Sequence, residues 1–251
     1  MKNHHRHIMV VRAVTLTLLA LSVSGLTGQQ RNSAAAGPLE LFKNEKVFWR
    51  QFEVAKDIVA LHDSSVLPEL ADWLNHEDRH LRGNVAFIFA GLGDARGFET
   101  ISAILRDRSD RPEGQGIATA PGDGRYQVAQ QIRADRYYAA HLLGDLKDPR
   151  ALPILVPLLQ DQEVNSIVPW ALAEIGDKRA DGPLIEALNT RDPSIRVLTI
   201  RALQKLGAKE ALPRLRGLLD DNQKSQFGEL VSVAQAARAA IATLEAEQPA
   251  R

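Results

Sequence analysis

Apolar residues recur along this chain in short segments that share one phrase. The phrase is an apolar helix end followed by glycine and a charged residue, as in GLGDARG at 91–97 and EIGDKRA at 174–180. Taking the glycine position as an anchor, the corresponding residues are His62, Gly93, Lys147, Gly176 and Gly207. Their separations of 31, 54, 29 and 31 residues indicate a period of about 31 with one insertion of about 23 residues.

Two helices flank each anchor. An apolar segment, which we call the A helix, ends 12 residues after each anchor, at Leu74, Leu105, Leu159, Leu188 and Leu219. A second segment, the B helix, precedes each anchor, with apolar residues 1, 4, 5, 8 and 12 positions before it. This spacing follows the helical turn of about 3.6 residues, so one face of each B helix is predicted to be buried.

Aspartates mark the predicted helix starts. Asp94, Asp148 and Asp177 directly follow their anchors and are expected to cap the A helices. Asp78, Asp161 and Asp192 lie 15 residues before theirs and are expected to cap the B helices. The repeat with the insertion has Ile132 at that position. Glycine at the anchor suits a left-handed conformation after a helix.

A two-helix unit of this length cannot bury its own apolar face, so consecutive units must stack. We therefore predict an all-α fold, a right-handed α-solenoid of antiparallel helix pairs. The repeat domain is expected over residues 39–248, with a cap helix at about 45–61 and a closing helix at about 229–245. The segment at about 107–130, rich in Gly, Pro and charge, is predicted to form a surface loop.

The pattern Asp-x-x-x-Arg followed by an apolar helix end and glycine occurs at Asp192–Arg196 and Leu206–Gly207. It resembles HEAT repeats of the PBS-lyase-like subclass, which form armadillo-like superhelices, and the resemblance covers roughly residues 60–245. It implies a structural ladder between repeats, formed by Arg82, Arg136, Arg196, Asp78, Asp161 and Asp192. Asn165 departs from this arginine pattern.

The N-terminal segment has the pattern of a bacterial Sec-type signal peptide. Residues 1–12 are basic, and an apolar run of about 14 residues follows, shorter than the roughly 20 that span a membrane. We expect a signal peptide over residues 1–28 and a flexible lead-in over residues 29–38. The expected location is therefore secreted or periplasmic, with membrane contact only through the signal peptide.

Charge and composition exclude some functions. The chain has 31 basic and 31 acidic residues, and no cysteine. Beyond residue 28 the balance is 28 basic to 31 acidic, which argues against a nucleic-acid partner. Thiolate catalysis and cysteine-based zinc sites are excluded as well. No cofactor, metal or catalytic residue is expected.

A candidate partner-binding surface lies on the B helices, on the face that HEAT stacks turn to their concave side. Positions six residues before the anchors, with neighbouring turns, bring together aromatic, imidazole and charged side chains. The candidate residues are Phe87, Tyr137, Tyr138, His141, Trp170, Glu174 and Arg201. Aromatic residues with arginine are typical of interface hot spots, although packing between repeats explains the same residues.

Two function classes remain open. The favoured hypothesis is an exported, non-enzymatic scaffold that binds a protein or peptide, as a monomer or within an envelope complex. The alternative is a HEAT-type enzyme or accessory protein, because the resemblance extends to bilin lyases and to deoxyhypusine hydroxylase, a metal-dependent oxidoreductase. The hydroxylase resemblance implies several His-Glu pairs on B helices, whereas this chain has one pair, His76-Glu77, in a turn.

Overall fold

The computed structural model describes residues 34–109, 124–226 and 230–246, which belong to a unit spanning Ser33–Arg251. Within these residues the chain is helical, and extended pairing is limited to one isolated bridge between Lys224 and Ser232. The predicted all-α class is confirmed. The predicted signal peptide lies outside the described residues.

The α-helices are α1 (Ala36–Asn44), α2 (Phe48–Ala60), α3 (Leu67–Leu70), α4 (Arg79–Gly91), α5 (Ala95–Arg106), α6 (Gly124–Leu146), α7 (Leu152–Leu155), α8 (Val168–Ile175), α9 (Asp181–Ala187), α10 (Pro193–Leu206), α11 (Leu212–Arg216) and α12 (Val233–Ala246). Short 3₁₀ segments extend the A helices at Ser64–Val66, Ala71–Asn75, Pro149–Ala151, Val156–Gln160, Lys178–Ala180 and Lys209–Ala211. Helix α1 begins inside the predicted lead-in, where Ala35 and Leu39 are buried. Helix α6 begins before the predicted end of the insertion at residue 130.

The helices contact one another in chain order. Helix α2 packs on α4, α4 on α6, α6 on α8, α8 on α10 and α10 on α12, so the B helices form one row. The A helix α5 packs against α4 and α6, and α9 and α11 pack against α10 and α12. The predicted solenoid of stacked pairs is therefore confirmed, while its right-handed sense stays a prediction.

The five anchor positions share one backbone conformation. His62, Gly93, Lys147, Gly176 and Gly207 have φ angles of 54°, 88°, 53°, 75° and 64°, all in the left-handed region. The conformation ends each B helix and turns the chain into the next A segment. His62 and Lys147 adopt it although side chains other than glycine disfavour it, which indicates that the repeat geometry requires this turn.

The capping aspartates behave as the pattern predicts, with one exception. Asp78 accepts hydrogen bonds from the N–H groups of His80 and Leu81 at the start of α4. Asp161 does not cap α8, which begins seven residues later at Val168. Proline has no N–H and is tolerated only in the first helical turn, so Pro169 places the helix start there.

The arginines of the predicted ladder point towards acidic residues of the following repeat. Buried Arg136 contacts Asp161 Oδ2 at 2.6 Å and donates from Nε to the Leu105 carbonyl at 2.9 Å. Arg196 lies 3.0 Å from Asp221 Oδ2. Their partners are therefore on the next unit, whereas Asp192 serves as a cap within its own helix.

At Arg82, the first arginine of this ladder, the contacts differ. Arg82 donates to the His76 carbonyl at 2.6 Å. Arg79 makes an ion pair to the next unit, with its Nη2 atom 2.5 Å from Asp107 Oδ2. Asp107 ends α5 and is the first residue of the predicted insertion, and it supplies the carboxylate that is absent at Ile132.

Gly97 sets the distance between α4 and α5. A Cβ atom at this position would lie 2.2 Å from both the Ala86 carbonyl oxygen and the Ala90 nitrogen. We predict that Gly97→Ala lowers the free energy of unfolding by at least about 2 kcal/mol, because backbone atoms must move apart. Denaturant unfolding measures the change. Gly182→Ala is the control, since its Cβ meets nothing within 4 Å; equal losses in both variants would contradict the close-approach argument.

Asp181 occupies a position that other repeats fill with an apolar side chain. The residues five positions after the other anchors are Leu67, Phe98, Leu152 and Leu212. Asp181 is buried, and its Oδ1 atom has no hydrogen-bond partner within the described residues. It lines a cavity of about 490 Å³ between α9 and the following turn. Desolvation raises the pKa of its carboxyl group, outweighing the nearby charge of Lys178.

We predict that Asp181→Leu raises the free energy of unfolding at pH 7 by about 1–2 kcal/mol, because a poorly compensated buried charge is replaced by the apolar side chain of the repeat. Since the folded-state pKa is raised, the wild type gains stability as the pH falls and the carboxyl is protonated, so the advantage of leucine shrinks in acid. Unfolding of wild type, Asp181→Leu and Asp181→Asn at pH 7 and pH 4 tests this. A leucine variant less stable than wild type at pH 7 would refute it.

Candidate functional site

Aromatic rings from three B helices form a continuous row, which we call the aromatic stripe: Phe48, Phe52, Tyr138, His141 and Trp170. Phe48 is exposed, Tyr138, His141 and Trp170 are partly buried, and Phe52 is buried. His141 stacks on Trp170, with ring centroids 4.5 Å apart and planes inclined by 22°. Phe52 meets His141 edge-on at 5.9 Å, and Phe48 meets Tyr138 edge-on at 5.1 Å. Both arrangements are favourable for π-systems.

The stripe joins side chains from helices that are not neighbours in the row. Phe48 and Phe52 belong to α2, and they touch rings of α6 although α4 stands between these helices in the row. Gly83 of α4 has no side chain there, and a Cβ atom at that position would lie 3.8 Å from a ring carbon of Tyr138. That these rings lie on the concave face stays a prediction.

Gly144 allows α6 and α8 to approach closely beneath the stripe. A Cβ atom there would lie 2.8 Å from Ala171 Cα and 2.9 Å from a ring carbon of Trp170. The absence of a side chain at Gly144, one helical turn after His141, leaves room for the Trp170 ring. The stacked pair therefore depends on this glycine.

A buried polar network fixes the base of the stripe. The Tyr138 hydroxyl donates to Asn84 Oδ1 at 2.5 Å, and Asn84 Nδ2 donates to the Phe48 carbonyl and to Gln51 Oε1, both at 2.9 Å. Gln51 in turn donates to the Phe42 carbonyl at 3.2 Å. Burial raises the pKa of the Tyr138 hydroxyl strongly, so it stays protonated and serves as a donor. Satisfied networks of this kind rigidify a site.

His141 and Asp145 form an acid–base pair beside the rings. His141 Nδ1 lies 3.3 Å from Asp145 Oδ2, and their side chains are 32% and 24% exposed. Desolvation lowers the pKa of His141, and it raises the pKa of Asp145. Imidazole and carboxylate groups in such partly buried positions are the usual agents of proton transfer.

Cations stand at both ends of the stripe. Lys56 lies over the Phe52 ring, 5.1 Å from its centroid. At the other end Lys205 pairs with Glu174, two residues before their respective anchors, so α8 and α10 are aligned in register. Arg201 and Trp170 occupy the same position in this register, six residues before their anchors. Arg201 is exposed and forms no ion pair within the described part of the chain.

Only some of the residues proposed from the sequence lie together in the structure. Tyr138, His141 and Trp170 come together, and Glu174 and Arg201 extend their row. Phe87 is a correction: it is only 5% exposed, because Phe52 covers it edge-on at 4.9 Å, so it belongs to the core. Tyr137 is 41% exposed, and no described ring contacts it.

Sequence reasoning missed Phe48, Phe52 and Lys56, which it assigned to a cap helix. A signal for Lys56 was available, since it lies six residues before His62, in the register of His141, Trp170 and Arg201. The contact of Phe52 with α6 has no such signal, because it joins two helices that are not neighbours in the row.

Two family models match the chain in this region. Residues 135–161 match the PBS lyase HEAT-like repeat, and residues 161–227 match HEAT repeats. The chain is a HEAT-repeat protein of the PBS-lyase-like subclass. The first match includes Tyr138, His141 and Asp145, and the second includes Trp170 and Arg201.

Curated relatives of this HEAT-repeat protein have names from bilin metabolism. The bilin biosynthesis protein PecE of Nostoc sp. (strain PCC 7120) is 33% identical over 134 residues, 52% of this chain and 51% of that protein. PecE of Mastigocladus laminosus is 36% identical over 100 residues, 39% of this chain and 37% of that protein. The phycocyanobilin lyase subunit alpha of Picosynechococcus sp. (strain PCC 7002) is 34% identical over 95 residues, 34% and 35% of the two chains. The HEAT-repeat protein spans about a third to a half of the length of these relatives.

These comparisons correct two expectations. The interpretation as a non-enzymatic scaffold is wrong, because the relatives are named for bilin biosynthesis and for a lyase. The expected secreted or periplasmic location is contradicted too, since bilin lyases of phycobiliproteins act in the cytoplasm of cyanobacteria. The envelope complex that was expected with export has no support.

The part of the chain that the structure describes was also searched for other features. It contains no group of three or more His, Asp or Glu side chains arranged to hold a metal ion. The single His-Glu pair remains in the turn before α4, where the His76 ring accepts a hydrogen bond from the Asp78 N–H. None of the described helices has the length and apolar character needed to span a bilayer.

We predict that His141 titrates below the ordinary histidine pKa of 6.5, because burial disfavours the imidazolium form. Asp145→Asn should lower the pKa of His141 further, since the carboxylate charge raises it. NMR titration of the imidazole resonances measures both values, and Asp57→Asn on the exposed side of α2 is the control. A His141 pKa above 6.5, or a rise in Asp145→Asn, would contradict the assignment.

Proposed function

We propose that this protein is a bilin-lyase-like enzyme subunit, which binds a linear tetrapyrrole on the aromatic stripe and delivers it to an acceptor protein. The names of the relatives support the chemical class. The observation that carries the proposal is the partly exposed stack of His141 on Trp170, in a stripe that has Lys56 over the Phe52 ring. A phycobiliprotein subunit is the proposed acceptor.

The stripe matches the chemistry of a bilin. A linear tetrapyrrole is a conjugated chain of four flat rings that carries two propionate carboxylates. Flat rings favour offset or edge-on contact with aromatic side chains, each worth about 0.5–1.5 kcal/mol beyond burial. Carboxylates favour charge-assisted hydrogen bonds from lysine and arginine. Arg201 is the candidate donor, since it forms no ion pair within the described residues, whereas Lys56 is already paired with Glu53 at 2.8 Å.

The rigid base of the stripe supports binding without large rearrangement. Tyr138, Asn84 and Gln51 are tied to one another and to backbone carbonyls by hydrogen bonds of 2.5–3.2 Å. Preorganised side chains lose little entropy when a ligand binds. Because the stripe is only partly exposed, a ligand that binds there displaces few water molecules.

This chain has no cysteine, so a bilin cannot be held on it through a thioether bond. A thiol that takes the bilin must belong to the acceptor protein. The proposed role is therefore to bind and orient the bilin non-covalently while the acceptor approaches. His141 and Asp145 lie beside the rings and are the groups able to move protons there.

We predict that Trp170→Ala weakens phycocyanobilin binding by about 5- to 20-fold, the loss expected when one stacking partner is removed. The absorbance and fluorescence change of phycocyanobilin on addition of the purified protein measures affinity. Phe98→Leu is the control: it removes an aromatic ring from the A helix α5, which stacks with Arg150 instead.

A second assay adds an apo-phycobiliprotein subunit and follows covalent bilin by zinc-induced fluorescence after denaturing electrophoresis. Trp170→Ala should slow attachment, and Phe98→Leu should not. Wild-type protein that binds no phycocyanobilin at micromolar concentration would overturn the proposal. Equal affinities of wild type and Trp170→Ala would remove the stripe as the binding site.

A further inference from the structure

A cavity lies beside the Phe48 end of the aromatic stripe. Its volume is about 380 Å³, near the lower end of the roughly 300–1,000 Å³ found for small-molecule sites. Phe48 lines it from the start of α2 and is 40% exposed, and the partly buried Trp73 lines it from the 3₁₀ segment Ala71–Asn75. Because Phe48 belongs to both the stripe and the cavity, a ligand on the stripe that reaches this ring also reaches the cavity.

Most of the charged side chains that line the cavity already have partners. Lys43 Nζ lies 2.6 Å from Glu69 Oε2. Glu45 accepts hydrogen bonds from two backbone N–H groups, both at 2.8 Å. Asp78 is occupied as the cap of α4. These groups hold the walls of the cavity in place and are not available to a ligand without loss of those contacts.

Two side chains of the cavity have donor groups left over. Lys46 is exposed, and its ammonium group pairs with no described residue. His76 Nδ1 accepts a hydrogen bond from the Asp78 N–H at 3.0 Å, so the ring hydrogen is on Nε2, which has no partner among the residues described. Both remaining groups donate. The cavity therefore fits a ligand that brings a hydrogen-bond acceptor between two flat aromatic walls.

The spacing of the rings indicates which part of a bilin reaches this cavity. Phe48, Tyr138, His141 and Trp170 follow one another with centroid separations of 5.1, 6.3 and 4.5 Å. A bilin also has four rings in a row, so one that lies along these four has an end ring at Phe48. Each end ring of a bilin carries a lactam carbonyl group, whereas the propionates are on the two middle rings. The acceptor nearest the cavity is therefore a lactam carbonyl.

We propose that the cavity holds one end ring of the bilin, with the ring against Phe48 and Trp73 and its lactam carbonyl accepting hydrogen bonds from Lys46 and His76. This inference rests on the proposed function and adds the orientation of the bilin along the stripe. The bond from Lys46 is charge-assisted and is the stronger of the two. The other end ring is left at Trp170, outside the cavity.

Phycocyanobilin binding to the full chain, followed by absorbance, tests the inference. Lys46→Met should weaken binding about 5- to 10-fold, less than the loss of a buried charged hydrogen bond because Lys46 is exposed. His76→Phe, which keeps a ring and removes the donor, should weaken it about 3- to 5-fold. Arg50→Met is the matched control: it removes one cation from the same helix, where Arg50 lies over the Trp49 ring and does not line the cavity.

The dimethyl ester of phycocyanobilin separates the lactam from the propionates, because it blocks both carboxylates and leaves the end rings unchanged. Lys46→Met and His76→Phe should weaken binding of the ester by the same factors as binding of the free acid. Arg201→Gln should weaken binding of the free acid alone, since Arg201 is the candidate partner of the propionates. If Lys46→Met weakens binding of the free acid and not of the ester, the cavity takes a propionate and the lactam assignment is overturned.

The outcomes also separate this inference from the proposed function. If wild type binds no phycocyanobilin, the proposed function fails first. If Trp170→Ala weakens binding while Lys46→Met and His76→Phe bind both compounds as wild type does, the inference alone is overturned. Equal losses in Lys46→Met and Arg50→Met would reduce the effect to general charge and overturn it as well. Circular dichroism of each variant verifies its helical content.

Discussion

Each helix pair in this protein buries its apolar face only against the pairs before and after it. This single constraint explains why the B helices stand in one row and why the turn between them is the same each time. His62 and Lys147 take the left-handed conformation that glycine adopts at Gly93, Gly176 and Gly207, because another turn would break the stacking. Where two helices must approach more closely, as at Gly97, the side chain is absent altogether.

The candidate site follows from the same constraint. Stacking in register brings the residue six positions before each anchor next to its counterpart in the following unit, as the His141–Trp170 stack shows. One suitable residue at this position in each repeat is therefore enough to form a continuous surface along the row. At this position the side chains are rings at His141 and Trp170 and cations at Lys56 and Arg201. The polar pair of His141 and Asp145 lies between them in the row.

The sequence allowed the fold to be predicted closely. The period, the anchors and most aspartate caps depend on local rules, which a helical pattern and a few turn residues express directly. Errors arose where one local signal overrode another or where the cause was not local. Asp161 does not cap α8, because Pro169 moves the start of the helix, and Asp107 at the start of the insertion supplies the carboxylate that is absent at Ile132. Phe87 is covered by a ring from another repeat.

Function was harder to predict than fold, for a physical reason. An array of helix pairs can present many kinds of surface without changing its core, so the repeat pattern does not determine the ligand. The interpretation as an exported scaffold gave the N-terminal segment and the lack of a metal-binding pattern more weight than the resemblance to bilin lyases. The contact of Phe52 of α2 with His141 of α6 also reaches across α4, and reasoning from a single repeat cannot predict it.

The span of the aromatic stripe has a mechanical consequence. Solenoids unfold approximately as a chain of units joined by nearest-neighbour interfaces, so distant repeats are coupled only through those between them. A ligand that touches Phe48 of α2 and Trp170 of α8 at once would hold several of these interfaces together. With the ligand bound, the repeats would unfold in one cooperative transition and not gradually from the ends of the row. Release of the ligand to an acceptor would make the row of repeats more flexible again.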